Sequence, residues 1–429
     1  MTLPDRDALP RREYLKALVA VGGASALSAC LDLDEEERAE IPSGTEEPDA
    51  LPERQHAWNE VLSGDENENI VPSRHHVLLS LTLTNDPTDD DRERFEGALR
   101  TLERAYERSH DGLLFTVGYT PAYFGRFGEG PAGVDLPEPR ALTEFEGPAF
   151  EDGDVLVHLA SDHPEAVLAA EEALFGEIEE ANGVPVETTI EDLVAERERH
   201  TGFVGAGLPA DHQDVEGVPD SEPVHEEAPF FMGFRSGFQE SQATEDRVTI
   251  EEGPFAGGTT QHVSTLAIDL GQWYGQDSQF QRVAKLFSHE HATEGLVGEY
   301  GEKLEESNAL TDERIASTVE DARQHGVVGH AQKAARARED GEPLLLRRDF
   351  NTTDDDRPGL HFLTLQREIG EFVRVREAMT GADVASESGV GRIANNGILQ
   401  YLTVRRRGNY LLPPRGHRAL PTPRPDADA

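Results

Sequence analysis

Residues 75–84 read HHVLLSLTLT and residues 113–120 read LLFTVGYT; between them, residues 87–108 carry Leu99, Leu102 and Tyr106 at helical spacing. The two outer stretches are short, alternating and rich in Val, Leu and Thr, which predicts strands. The middle stretch repeats its apolar positions every three to four residues, which predicts a helix. Toward the C-terminus, Asp154–Ala160 predicts a third strand feeding a helix from about His163 to Ile178. Near residue 215 a stretch rich in Gly, Pro, Asp and Glu reads as a linker. Beyond it the theme repeats: a strand over Val263–Leu270, helices over Ser278–Ser288 and Thr311–His325, a strand over His361–Gln366, a helix over Ile369–Met379 and a closing strand over Ile398–Val404. Two successive units of this kind predict an α+β protein with antiparallel sheets and helices on their outer faces.

Toward the N-terminus, residues 31–70 are acidic, hold Pro42, Pro48 and Pro52 and show little apolar periodicity, so they read as a flexible tether. The last residues from about Leu420, with Pro421, Pro423 and Pro425, read as a disordered tail. Arg11 and Arg12 precede a mild apolar run, Ala17 to Leu27, the order of a Tat-type export signal. That run is too short and too rich in Gly and Ala for a membrane span of about 20 residues. It ends in Leu27-Ser28-Ala29-Cys30, which looks like a lipobox, so Cys30 is expected to carry a lipid at the outer face of the cell membrane. Cys30 is the only cysteine, so an intramolecular disulfide is excluded and packing alone must hold the exported body. The expected organisation is an export signal over 1–30, a tether over 31–70, one half over 71–215, a second over 216–419 and a tail over 420–429.

The chain carries 84 Asp plus Glu against 39 Lys plus Arg, a formal net charge of -45. Acidic residues are dispersed between apolar runs such as Val77-Leu78-Leu79 and Leu344-Leu345-Leu346, which indicates a folded body with a halophile-type acidic surface rather than a disordered acidic chain. This charge argues against nucleic acid as a partner.

Just after the linker stands Gly233-Phe234-Arg235-Ser236-Gly237. Later come Gly329-His330-Ala331-Gln332-Lys333 and, 17 residues beyond His330, Arg347 in Leu346-Arg347-Arg348. With these, the chain resembles the dye-decolourising haem peroxidases, which carry a Gly-x-x-Asp-Gly motif, a proximal His and a distal Arg in a Leu-Arg stretch. Thr116 to Pro121 with Phe124 and Gly128, Gly153-Asp154-Val155-Leu156, Leu360 to Arg367 and Leu412-Pro413-Pro414 are similar to further segments of that family, in the same order. The resemblance runs from about residue 75 to 416. It implies two ferredoxin-like halves, a dimeric α+β barrel fold with one haem pocket.

Carried over residue by residue, the resemblance makes His330 the iron ligand of haem b and Arg347 the residue that polarises bound peroxide, with Arg348 as the adjacent alternative. A late acid, Asp383 or Glu387, is expected to orient the His330 ring. Ser236 departs from the pattern, because the family has Asp there and a serine hydroxyl is too weak a base to move the peroxide proton. Glu240-Ser241 replaces the usual Asn-Pro, and Glu240 is one other source of a carboxylate.

His289-Glu290-His291 reads as a solvated helix end rather than a metal site, since i,i+2 spacing does not share a helix face. Arg405-Arg406-Arg407 reads either as a contact to haem propionates or as a solvent-facing patch. Trp273 and Tyr274 read as core, with electron transfer as the alternative. The resemblance implies an exported oxidoreductase that reduces hydrogen peroxide with a small-molecule reductant, and leaves a homo-oligomer open. The alternatives are a haem-handling lipoprotein with little turnover, favoured by Ser236, and a protein that kept the fold without the cofactor.

Overall fold

Alternation along the first strand sorts its side chains onto two faces, and the whole architecture follows from that division. The computed structural model describes residues 40–425; Arg11, Arg12 and Cys30 lie outside the described residues. The first half contributes β1 (His75–Leu83), α1 (Asp89–Ala105), β2 (Leu114–Tyr119), β3 (Val155–Ser161), α2 (Pro164–Phe175) and β4 (Val194–Phe203). The second contributes β5 (Thr259–Ile268), α3 (Gln279–Leu286), α4 (His289–Glu294), α5 (Asp312–Ala316), α6 (Thr318–His325), α7 (His330–Ala334), β6 (Leu346–Arg347), β7 (Phe350–Thr352), β8 (Gly359–Gln366), α8 (Ile369–Thr380) and β9 (Leu402–Leu412). Val77, Leu79 and Leu81 of β1 pack with Phe95, Leu99 and Leu102 of α1 and Val167 and Leu174 of α2. Leu78 faces the other way, into a core shared with Leu156, Val263, Leu363, Leu365 and Leu412 of both halves.

Hydrogen bonding orders the first sheet β4-β1-β3-β2 and the second β9-β5-β8, with β6 and β7 on the far side of β8. In chain sequence each half is 4-1-3-2, the ferredoxin-like order, and each of these pairings is antiparallel. The sheet edges then meet, β4 against β7 at Phe203 and Asn351, and β2 against β9 at Tyr119 and Leu411. Closure makes one barrel with helices outside it, and satisfies the edge backbone that an open sheet leaves exposed. The α+β expectation with two ferredoxin-like halves therefore holds.

Several elements differ from the patterning. β4 was not expected, because its sequence VAERERHTGF is charged; Arg199 pairs with Glu171 at 2.6 Å and Arg197 with Glu177 at 3.1 Å, so its outer face is satisfied by ion pairs rather than by apolar packing. The helix expected over Thr311–His325 is two helices, α5 and α6, meeting at Ser317. The closing strand begins later and runs longer than expected, since β5 pairs it from Leu402 to Leu412, through the charged Arg406 and Arg407, and β2 meets it at Leu411.

The tether expectation for 31–70 fails over the described part, from residue 40. Trp58 is buried, the backbone N–H groups of Trp58 and Asn59 donate to the Glu245 carboxylate, and the Gln55 side chain bonds Val117 and Pro413. The tail expectation fails through residue 425 for the same reason. Leu420 is buried and the Tyr123 hydroxyl donates to the Pro421 carbonyl at 2.9 Å. A few anchors in non-periodic chain suffice to dock both segments. Among the described residues, no helix is long and apolar enough to cross a membrane.

Candidate functional site

The face of β5 and β8 that turns away from the barrel interior presents Ser264, Leu266, Ile268, Leu360 and Phe362 to a cavity of about 430 Å³, a size typical of small-molecule and cofactor pockets. α8 covers it with Phe372, Arg376 and Met379. The Phe230–Phe238 segment and residues 393–404 complete the wall. Four arginines, Arg235, Arg347, Arg376 and Arg407, face two carboxylates, Glu146 and Asp349, so the cavity is locally positive in a strongly negative chain.

His330 opens α7 and lines this cavity. Gly329 makes its position attainable: a Cβ there would fall 1.6 Å from the Phe287 carbonyl oxygen, so only glycine lets α7 begin against α3. Burial pushes the His330 imidazolium pKa down to about 3, helped by the charges of Lys333, Arg347 and Arg376. The ring is therefore neutral, with a lone pair available. Its Nδ1 is enclosed and has no hydrogen-bond partner.

Strand alternation decides between Arg347 and Arg348. Arg347, Asp349 and Asn351 all face the cavity. Arg348 points to the opposite side, buried, with hydrogen bonds to Asn59 and Glu245. Arg347 is held by the Gln242 side-chain oxygen, at 3.0 Å from its backbone N and 3.3 Å from Nε, and by the Ser241 hydroxyl at 3.3 Å from Nη2. Asn351 spends its amide on Phe203, Pro229 and Phe231 backbone groups and is structural.

Asp349 was missed by the sequence reading. Its Oδ1 is enclosed without a partner, and burial pushes its carboxyl pKa up to about 7, opposed only in part by Arg347 and the Leu363 backbone amide. The available signal was its position two residues beyond Arg347, which in extended chain shares a face. Ser236 also lines the cavity, from an exposed turn between Gly233 and Gly237, whose φ values of 84° and 83° require glycine. Thus the structure brings His330, Arg347 and Ser236 to the wall of one cavity, where Asp349 supplies a carboxylate that Ser236 does not.

Other expectations are corrected. Asp383 forms a bidentate pair with Arg336 at 2.6 and 3.0 Å, and Glu387 pairs with Arg323; neither reaches the unpartnered His330 Nδ1. Glu240 is exposed and does not line the cavity. His291 is not solvated but fully buried, bonded to Ser288 and Asn308, while His289 stacks on His325. Of the three arginines, only Arg407 reaches the cavity, buried and paired with Glu146 at 2.9 Å; Arg406 pairs with Glu198, and Arg405 is exposed. Trp273, by contrast, is core as expected, its indole donating to the Met232 carbonyl, and the Tyr274 hydroxyl donates to the Phe231 carbonyl.

A profile described as a family of unknown function (DUF7405) matches residues 73–414. Among curated proteins none matches the chain. Solved structures of similar fold include a dye-decolorizing peroxidase from Bacteroides thetaiotaomicron, with 14% identity and a TM-score of 0.52, covering 84% of this chain and 98% of that one. DyPB from Rhodococcus jostii has 17% identity and a TM-score of 0.50, with coverage of 85% and 97%. A dye-decolorizing protein from V. cholerae has 13% identity and a TM-score of 0.50, with coverage of 84% and 98%. At these identities the likeness is one of fold.

Proposed function

This chain belongs to the family of unknown function DUF7405, and we propose that its cavity binds haem and that the protein is a haem-dependent, peroxidase-like oxidoreductase. One observation carries the proposal: a single apolar cavity brings together a neutral histidine, an anchored arginine and a carboxylate with one unpartnered oxygen. The donor set fits the group. His330 offers a neutral imidazole nitrogen to iron, Phe234, Phe287, Phe362 and Leu266 offer apolar wall, and Arg235, Arg376 and Arg407 supply a positive field for two carboxylates. Haem, when bound, supplies the redox chemistry by which hydrogen peroxide is reduced at the expense of a small-molecule donor.

The chain's own residues then have separable tasks. The Asp349 carboxylate takes the proton from one peroxide oxygen and returns it to the other, a general acid–base role suited to a pKa near the working pH. The Arg347 guanidinium stabilises negative charge as the O–O bond polarises. Ser236 at the mouth holds water or passes a hydrogen bond. Haem titration of purified protein followed at the Soret band tests the cofactor, and His330→Ala should weaken haem retention at least tenfold with the fold intact by circular dichroism. Arg347→Ala should keep haem and lose about 10²-fold in the rate of peroxide cleavage by stopped flow. No Soret band, or haem retained without His330, would refute the reading.

A haem-handling protein with little turnover is the second reading. It is favoured by Ser236 and by the His330 Nδ1, which lacks the carboxylate that raises ligand basicity. Haem that binds reversibly while the wild type leaves peroxide untouched would select it. In either case the proposed location is the outer membrane face, after export through Arg11 and Arg12 and lipidation of Cys30. Cys30→Ala should release the body from the membrane fraction, and a variant still membrane-bound would remove the anchor from the proposal.

A further inference from the structure

The alternation that turns Leu360 and Phe362 toward the cavity turns His361 into the barrel, where it is fully buried. His200 on β4 faces the same interior, since its register partner is Leu78. Between β4 and β8 runs only the short β7, and after Thr352 the chain turns so that Asp354 fills the gap. Asp354 Oδ2 lies 3.0 Å from His200 Nδ1 and 3.3 Å from His361 Nε2, and the three ligand atoms all lie within 4.8 Å of one another.

We propose that His200, His361 and Asp354 form a binding site for a divalent first-row transition cation, placed across the joint between the two halves. Nitrogen and oxygen ligands about 2.0–2.1 Å from a tetrahedral ion stand roughly 3.3 Å apart, close to the two separations between Asp354 and the histidines. Two imidazoles with one carboxylate suit zinc or iron(II). The outer contacts are those of a built site: Asp354 Oδ1 accepts from the Thr201 hydroxyl at 3.2 Å and its N–H at 3.4 Å, and His361 Nδ1 bonds the Thr265 hydroxyl at 3.2 Å. A small adjoining cavity of about 20 Å³, lined by His200, His361, Thr265 and Ser80, has room for one water as a fourth ligand.

The position also gives the ion a task. Strands β4 and β7 share one register pair, Phe203 with Asn351, so this joint is narrow. An ion held by one residue of the first half and two of the second would clamp it. The site is on the barrel interior, on the opposite face of β8 from the cavity assigned to haem, and does not depend on that assignment.

Chelator-treated, haem-free protein should bind one equivalent of zinc in equilibrium dialysis, and its unfolding midpoint should rise. Asp354→Asn, which keeps size and the Thr201 contacts, and His200→Gln should each weaken zinc binding at least tenfold and cancel the rise, with circular dichroism confirming the fold. His110→Gln tests the surface cluster of His110, Asp111 and Asp162 and should change nothing. Zinc-edge X-ray absorption on the wild type, which needs no variant, should report two imidazoles among nitrogen and oxygen ligands. No saturable binding, binding lost in His110→Gln instead, or a zinc shell without two imidazoles would overturn the site.

Discussion

Asp349 and Arg347 sit on one face of an interrupted strand, and their proximity sets how the carboxyl titrates. In water an Asp side chain ionises near 3.8; here burial raises it to about 7, and the nearby Arg347 only partly restores it. As a base it must be ionised, so the rate of peroxide cleavage should rise with pH through about 7 and level off above it. Asp349→Asn should cost about 10²–10⁴-fold and abolish that rise, whereas Ser236→Ala should change the rate less than severalfold. Stopped-flow rates across a pH series decide between them, and equal losses in both variants would return the role to Ser236. The same group predicts a stability trend. Between pH 3.8 and about 7 the folded state holds a proton that the unfolded chain has released, so stability falls as pH rises through this window. Asp349→Asn removes the fall, and urea titrations should show the variant gaining on the order of 4 kcal/mol over wild type between pH 4 and pH 8.

At the scale of elements, His330 is delivered by the start of a five-residue helix, and Gly329 is what lets that helix seat against α3. Gly329→Ala would drive a Cβ into the Phe287 carbonyl, so α7 must shift. Overpacking of this kind costs about 1–3 kcal/mol, and His330 should move with the helix, so chemical denaturation should show the loss and haem affinity should fall with it. Unchanged haem affinity in a destabilised variant would separate α7 placement from ligation. The sequence exposed the elements whose burial is one-sided, such as β1 with its alternation and α1 with Leu99 and Leu102. It concealed β4, whose outer face is satisfied by Glu171 and Glu177 from elsewhere in the chain, and the short β6 and β7, which are held by β8 rather than by their own composition. His330 and Arg347 were legible as residues of one cavity because the family resemblance, through its motif order and spacing, carries them. Asp349 was not, because its meaning depends on strand phase, and Asp383 was misassigned because its partner Arg336 is fixed only by the fold.

Over the whole molecule, the formal charge of -45 and the closed barrel act in opposite directions. Exposed acids such as Asp355 and Asp356 beyond β7 stand beside one another with no basic residue between them. Their repulsion reaches about 10 Å at 0.1 M salt and about 3 Å at 1 M. The ion pairs that fasten the C-terminal segment to α1 behave differently. Arg418 meets Glu96 and Glu103, Arg415 meets Glu103 at 2.7 Å, and the side chains of Arg418, Arg415 and Glu103 keep less than a tenth of their surface in water, so salt hardly weakens them. Screening therefore removes most of the surface repulsion while sparing the buried attraction. The thermal midpoint should climb between 0.1 and 2 M potassium chloride by roughly 5 °C, a change of about 4 kcal/mol for a chain of this size. Chloride and sulfate compared at equal ionic strength separate screening from the exclusion of sulfate from the surface. A rise common to both salts supports screening, whereas a flat response to chloride would mean that the acidic side chains are already neutralised by their neighbours and that the net charge is not what limits stability.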